Sequence, residues 1–208
     1  NQTVSYENFL MLSGSGFVGF SLAYLFYFHS IEAIGVSEAT AITSSRPLIA
    51  AVLAVIFFGD VITASLGLGT VFVVVGVVMV TLKPQVTLRA RLGAGESLAI
   101  LTALCWGLYP ILAKAGLQGL PSVFKATLIM MVMATVLFVL LAACVGRLKP
   151  LFSVTKHSLS FFALSGLANG LANIFMFAAL MIIQVTIVTP LSGLYPFFAM
   201  VLGLIMLK

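Results

Sequence analysis

The chain has 208 residues, of which 62% are hydrophobic and 7% are charged, and its mean hydropathy is +1.25. Such a composition excludes a water-soluble globular domain and indicates an integral membrane protein, because the outer surface must itself be apolar. The net charge of +5 comes from ten Lys and Arg against five acids, which is too sparse for a nucleic-acid interface, so the basic residues are interpreted as membrane-orienting charges.

Seven apolar runs follow one another along the chain, each close in length to the ~20 residues that a helix needs to cross a hydrocarbon core. They lie near residues 10–35, 39–58, 62–82, 97–117, 122–146, 158–183 and 185–207. All seven are predicted to be α-helices, because lipid offers the backbone no hydrogen-bond partners. Very short connections at Gly35–Glu38, Gly59–Ile62 and Gln184–Thr186 predict that the helices they join are antiparallel neighbours.

A hairpin of two apolar helices occurs twice in the chain. The stretch YLFYFHSIEAIGVSEATAITSSRPLIAAVLAVIFFG, residues 24–59, aligns without a gap on NIFMFAALMIIQVTIVTPLSGLYPFFAMVLGLIMLK, residues 173–208, at a constant offset of 149. The two copies match at Phe26/Phe175, Phe28/Phe177, Ile34/Ile183, Val36/Val185, Thr40/Thr189, Pro47/Pro196, Ala50/Ala199, Val52/Val201, Leu53/Leu202 and Ile56/Ile205. The shared proline is the match that two unrelated apolar helices would be least expected to produce.

Extending this offset predicts further helices, about two before residue 1 and one after residue 208. We therefore predict five helices per half, of which this chain is a fragment with about seven transmembrane helices. Residues 1–82 would be the end of a first repeat, 83–96 the loop between the halves, and 97–208 a second repeat whose last helix is missing.

The basic residues indicate that the two halves are inverted relative to each other. If successive helices alternate in direction, one membrane face carries Lys83, Arg89, Arg91, Arg147, Lys149, Lys156 and Lys208, whereas the other carries Lys114 and Lys125 at helix ends. An odd number of helices per repeat with opposite charge bias is what inverted-topology repeats require. The prediction is an all-α inverted five-plus-five helix transporter fold that works by alternating access.

Arg46 is the most informative polar residue inside an apolar run. It lies about 10 Å into its helix at 1.5 Å per residue, directly before Pro47, whose ring disturbs the preceding turn. Pro47 and its equivalent Pro196 are predicted hinges, because discontinuous helices are typical of transporter sites. The guanidinium would favour substrates that carry a carboxylate or another anionic group. Pairing with Glu32 or Glu38, or reaching toward the nearer membrane surface, are the open alternatives.

Other polar and aromatic side chains inside the apolar runs are expected to line a central cavity with Arg46, because polar groups are costly when they face lipid. The predicted substrate-binding residues are Tyr24, Tyr27, Arg46, Trp106, Tyr109, Asn169, Asn173 and Tyr195. Asn169 and Asn173 are four residues apart and share one helix face. For the asparagines, hydrogen bonding between helices is the alternative to substrate contact, and for the aromatic residues it is packing.

Motifs of known catalytic chemistry are missing from the sequence. It contains no HExxH, no GxSxG, no pair of carboxylates on one helix and no phosphate-binding glycine loop, so neither an enzyme nor a cofactor or metal site is predicted. Transport would then be secondary, driven by a substrate gradient or by ion coupling. Gly67, Gly69 and Gly76 are interpreted as a close-packing helix face, with a homodimer contact there left open.

Three successive segments resemble the EamA repeat of the drug/metabolite transporter superfamily. They are an aromatic-rich helix (YLFYFHSIEAIGVS), a helix with a central proline (SSRPLIAAVLAVIFFGD) and a glycine-bearing helix (GLGTVFVVVGVVMV). In the second half, ALCWGLYPILAKAG is similar to the opening helix of that family, with a Trp-Gly pair and a Lys eight residues later, here Trp106 and Lys114. Asp60 stands where the family usually has Glu.

The resemblance implies a secondary transporter of small metabolites or drugs, and it favours an exporter in the plasma membrane. Its partners would be a small-molecule substrate and the lipid bilayer, without nucleic acid. A non-transporting membrane scaffold or subunit is the alternative. Orientation is left open, because the number of Lys and Arg favours the basic face as cytoplasmic, whereas the usual orientation of the family would place that face outside.

Overall fold

A computed structural model describes residues 4–81, 93–120, 122–144, 146, 155–195 and 198. These residues form seven helices and no strand. The helices are α1 Tyr6–Ile34, α2 Val36–Phe58, α3 Ala64–Thr81, α4 Ala94–Leu117, α5 Val123–Cys144, α6 Lys156–Ile182 and α7 Val185–Ser192. Five of them, α1, α2, α4, α5 and α6, are long and apolar enough to cross a membrane. The all-α membrane fold predicted from the apolar runs is thereby confirmed.

Local sequence signals set where several helices begin and end. Ser5 precedes α1 and accepts a hydrogen bond from the Asn8 amide at 3.4 Å, and Thr155 caps α6 in the same way. These hydroxyl groups satisfy amide groups that have no partner within the helix. At the other ends, α1 and α2 stop at Gly35 and Gly59, whose φ angles of 83° and 66° favour glycine. The predicted hairpin connections are therefore short, as expected.

Helix α4 of the second half packs along α1 of the first half with the opposite direction. At the start of α4, a Cβ atom added to Gly95 would lie 2.6 Å from Ile34 Cγ2, and near its end one added to Gly116 would lie 2.7 Å from Leu12 Cγ. Between these points Gly107 makes a similarly close approach to α2. Glycine thus brings the backbone of α4 against both helices of the first hairpin.

The close-packing role predicted for the glycines of α3 is not observed among the described residues. A Cβ atom added to Gly69 or Gly76 meets no described atom within 4 Å, and one added to Gly67 meets only Ile62 Cγ2 at 3.5 Å. Glycine spacing shows where a helix can be approached closely but does not show which neighbour approaches it. A homodimer contact on this helix remains a prediction.

A turn divides α2, and a turn at the equivalent position of the second half ends α7. A turn at residues 44–45 divides α2, and a turn at residues 193–194 follows α7, 149 residues further on. The hydroxyl group before each turn donates to the carbonyl oxygen three residues earlier, Thr43 to Thr40 at 3.1 Å and Ser192 to Thr189 at 2.8 Å. The repeat that the sequence offset defines is thus visible in local backbone geometry and side-chain hydrogen bonding.

The interrupted segments of α2 and α7 also contact each other. A Cβ atom added to Gly193 would lie 3.4 Å from Pro47 Cγ. Pro47 stands in the first turn of the second part of α2, where a proline needs no amide hydrogen. Pro196 lies outside the described residues, so the expected superposition of Pro196 on Pro47, and of one hairpin on the other, stays a prediction.

Candidate functional site

A cavity of about 940 Å³ lies between α1, α2, α4, α6 and α7. Its lining includes all eight residues that the sequence predicted as substrate contacts: Tyr24, Tyr27, Arg46, Trp106, Tyr109, Asn169, Asn173 and Tyr195. The other lining residues are Gly19, Phe20, Ala50, Pro110, Ser165, Ala168, Ala172, Met176, Thr189 and Ser192. Both sequence repeats therefore contribute to one cavity, while substrate contact by these residues remains a prediction.

Arg46 projects its guanidinium over two aromatic rings of the second half. The Cζ atom lies 5.4 Å from the centre of the Trp106 ring and 4.9 Å from that of Tyr195, which is within the range of a cation–π contact. The described residues include all five acids of the chain, and none of them is within salt-bridge distance of this guanidinium. The alternative in which Glu32 or Glu38 pairs with Arg46 is therefore not observed.

Aromatic rings of α1 and α4 form one wall of the cavity. Trp106 packs against Tyr27 and Tyr24, with ring centres 5.0 and 5.7 Å apart, and Phe20 meets the edge of Tyr109 at 5.6 Å. Edge-to-face and tilted arrangements of this kind contribute beyond the area they bury. The structure thus combines the two alternatives left open by the sequence, since these rings pack against one another and also line the cavity.

A hydrogen-bonded chain crosses the cavity from α4 to α6. The Tyr109 hydroxyl donates to Asn173 Oδ1 at 2.5 Å, and Asn173 Nδ2 donates to Asn169 Oδ1 at 2.7 Å and to its carbonyl oxygen at 2.8 Å. Asn173 is 7% exposed, and Asn169 is exposed. Asn173 therefore links two helices, whereas Asn169 presents its amide group to the cavity.

Helix α1 has π-helical geometry over Phe17–Leu22, where it borders the cavity. A π segment leaves backbone groups without their usual partners and is common at functional sites. Here the Trp106 indole donates to the Gly19 carbonyl oxygen at 3.0 Å. A Cβ atom added to Gly19 would lie 2.8 Å from the Tyr109 ring, so glycine is needed for this approach.

Tyr109→Phe is expected to lower stability by about 1–2 kcal/mol, because it leaves the buried Asn173 oxygen without its donor. The measurement is thermal unfolding of the purified protein in detergent. Tyr24→Phe is the matched control, since the Tyr24 hydroxyl forms no hydrogen bond within the described part of the chain. Equal unfolding temperatures for the two variants would contradict the assigned role of the Tyr109 hydroxyl.

Among the described residues, buried side chains border the cavity at the end where α6 finishes, and exposed side chains border it at the end where α6 begins. Beyond Asn173, Phe177 and Leu180 of α6 and Val185 of α7 are 0–2% exposed. In the first half of α6, the lining residues Ser165 and Ala168 are exposed. Within the part of the chain that the structure describes, a solute would therefore reach the cavity more easily from the end where α6 begins.

A buried polar cluster lies at the end where α6 finishes. Asp60, just after α2, lies 3.9 Å from the Lys114 ammonium group of α4 and is 7% exposed. Its second oxygen accepts from the backbone amide and the hydroxyl group of Thr186 in α7, each at 3.4 Å. The Lys114 ammonium also lies 5.2 Å from the centre of the Phe58 ring. One carboxylate thus connects helices of both halves.

Sequence reasoning missed the remaining cavity residues of α6 and the Asp60 cluster. Ser165, Ala168, Ala172 and Met176 follow the Asn169 and Asn173 face at spacings of three and four residues, so extending the helical periodicity would have found them. For the Asp60 cluster, the available sequence signal was that Asp60 and Lys114 lie at the ends of apolar runs. Nothing local in the sequence indicates that those two ends meet.

Comparison with known families identifies the kind of protein. A family model described as the EamA-like transporter family matches residues 1–82 and 93–208. The match leaves out only residues 83–92, and it confirms the resemblance that the proline-bearing and glycine-bearing segments suggested. Neither a curated protein nor a solved structure gives a match.

Proposed function

Since the chain belongs to the EamA-like transporter family, and is thus a multi-pass membrane transporter of the drug/metabolite transporter superfamily, we propose that it exports small metabolites or drugs from the cell by alternating access. The observation that carries this proposal is a cavity built from both repeats, bordered at one end by buried residues and at the other by exposed ones. A solute would bind beside Arg46 and Asn169 and leave after the opposite end opens. The proposed location is the plasma membrane.

The interrupted helices supply the positions at which the chain can bend. The turn at 44–45 divides α2 and the turn at 193–194 ends α7, both next to the cavity, and Pro47 has no amide hydrogen with which to continue the helix across the first turn. Bending there would move the second part of α2, including Arg46, relative to the first part. In this proposal Pro47 is a hinge, and no chemical step on the solute is required.

The test is solute accumulation in liposomes that contain the purified protein. The liposomes are exposed to a deproteinised metabolite extract, and solutes retained inside are identified by mass spectrometry. Ala168→Trp places an indole beside Asn169 in the lining of the cavity, so accumulation of the transported solutes should fall, because the added ring obstructs the position where a solute would contact Asn169.

Ala163→Trp is the matched control. Ala163 is exposed on the same helix and does not line the cavity, so this variant should transport as the wild type does. If no solute accumulates faster with the wild-type protein than with Ala168→Trp, the cavity is not a transport pathway. The alternative of a non-transporting scaffold would then be preferred.

A further inference from the structure

We propose that Arg46 makes the cavity selective for molecules that carry a carboxylate on an apolar body, and that it disfavours cationic ones. The proposal rests on the transport function argued above and names the substrate class of the same cavity. Its basis is the chemistry of the side chains that line the cavity, in particular which of their polar groups already have partners.

The Arg46 charge has no compensating carboxylate in the cavity. No Asp or Glu is among the lining residues, and Asp60, the one buried acid, is already bound by Lys114 and Thr186. Aromatic faces stabilise the cation but do not neutralise it. Since an arginine side chain is not deprotonated in proteins, the cavity keeps a positive charge that an anionic ligand can balance.

The hydrogen-bond donors of Arg46 are also uncommitted. Its guanidinium makes no hydrogen bond to any other residue that the structure describes, and its contacts with Trp106 and Tyr195 are with ring faces. A guanidinium offers five N–H donors in one plane and can bind both oxygens of a carboxylate. A carboxylate therefore matches both the charge and the geometry that remain available.

Most other polar groups in the wall are occupied by neighbours within the protein. The indole of Trp106 donates to Gly19, and the Tyr109 hydroxyl donates to Asn173. The Tyr27 hydroxyl shares a hydrogen bond of 2.9 Å with Thr40. The groups left without a described partner include the Asn169 amide nitrogen, which only donates, and the Tyr24 and Tyr195 hydroxyls, which can donate. A ligand rich in acceptors fits this set.

The apolar lining selects the body of the ligand. The cavity is lined by the rings of Phe20 and Trp106 and by the flexible thioether of Met176. Its lining also includes the small residues Ala50 and Ala172, which take up little space. Aromatic rings contribute large apolar area, and methionine adapts to irregular ligands. An inorganic anion would use only the polar donors of the cavity, whereas an amphipathic carboxylate would use both the donors and the apolar surface.

The experiment follows the fluorescence of Trp106, the one tryptophan of the chain, which lies beside Arg46 and reports ligand binding there directly. The probes are N-acetylphenylalanine, its neutral amide, and the cation phenylalaninamide, all with the same ring. The wild-type protein in detergent should bind the carboxylate about ten- to a hundredfold more tightly than the amide, as expected for charge-assisted hydrogen bonds, and the cation most weakly.

Arg46→Gln should remove the preference for the carboxylate over the amide, and Arg46→Lys, which keeps the charge, should retain part of it. Two results would overturn the proposal. One is a wild-type protein that binds the carboxylate no better than the amide, and the other is an Arg46→Gln variant that still prefers the carboxylate. Carboxylate-selective binding without accumulation of any solute in liposomes would refute transport but support the selectivity of the cavity.

Discussion

Gly16→Ala is expected to lower the stability of the protein by about 1–3 kcal/mol, the usual effect of overpacking a tightly packed core. A Cβ atom at Gly16 would lie 2.5 Å from the backbone oxygen of Met130 and 3.3 Å from Ala134 Cβ. Because the first contact is with backbone, α1 and α5 would have to separate. The thermal unfolding temperature in detergent measures the effect.

The matched control is Gly14→Ala, two residues earlier on the same helix. A Cβ atom there would meet Leu112 Cδ1 at 3.8 Å, an ordinary van der Waals distance. Both variants replace glycine by alanine in a helix, so the intrinsic gain in helix propensity is the same. If Gly16→Ala unfolds at the same temperature as Gly14→Ala, the close approach of α1 and α5 is wrong.

Asp60→Ala is expected to destabilise the protein by about 2–3 kcal/mol. The substitution leaves the Lys114 ammonium without its counterion and removes the Asp60 acceptor from the Thr186 backbone amide and hydroxyl, of which the hydroxyl keeps a weak contact with Gln184 Oε1 at 3.5 Å. The expected loss is below that of a fully buried pair, because the distance is 3.9 Å and Lys114 keeps 21% of its side chain exposed. Thermal unfolding again provides the measurement.

Two further variants separate the charge from the hydrogen bonds. Asp60→Asn keeps an acceptor for Thr186 and should lose less stability than Asp60→Ala. Adding Lys114→Met to Asp60→Ala should recover part of the loss, because the unpaired cation is then gone. Glu32→Ala, at an exposed acid without a described ion pair, is the control, and an equal effect of Glu32→Ala and Asp60→Ala would contradict the structure.

The helices could be predicted from the sequence because lipid imposes a strong rule on apolar runs. Pro47 itself predicted that α2 would be disturbed there, since a proline removes one backbone donor whatever surrounds it. The eight predicted residues that line the cavity could be identified from the sequence for a similar reason, because polar side chains such as Arg46 and Asn173 are disfavoured at lipid-facing positions.

Contacts between distant residues could not be predicted in this way. Tyr109 and Asn173 are 64 residues apart in the chain, and Asp60 and Thr186 are 126 apart. Each contact depends on the rotation of one helix against another, which neither periodicity nor composition specifies. The π segment of α1 could not be predicted either, because the sequence FVGFSL shows no local signal for it.

The glycine contacts of α4 restrict how this helix can move against α1 and α2. Sliding α4 along α1 would drive side chains such as Leu12 into the backbone near Gly116, and the same holds for Ile49 at Gly107. The contacts of α4 with α1 and α2 therefore oppose sliding of these helices past one another. The first half of α6 makes no comparably close glycine contact with the described residues, so the steric barrier that opposes sliding of α4 is not found on the side of the cavity that carries Asn169.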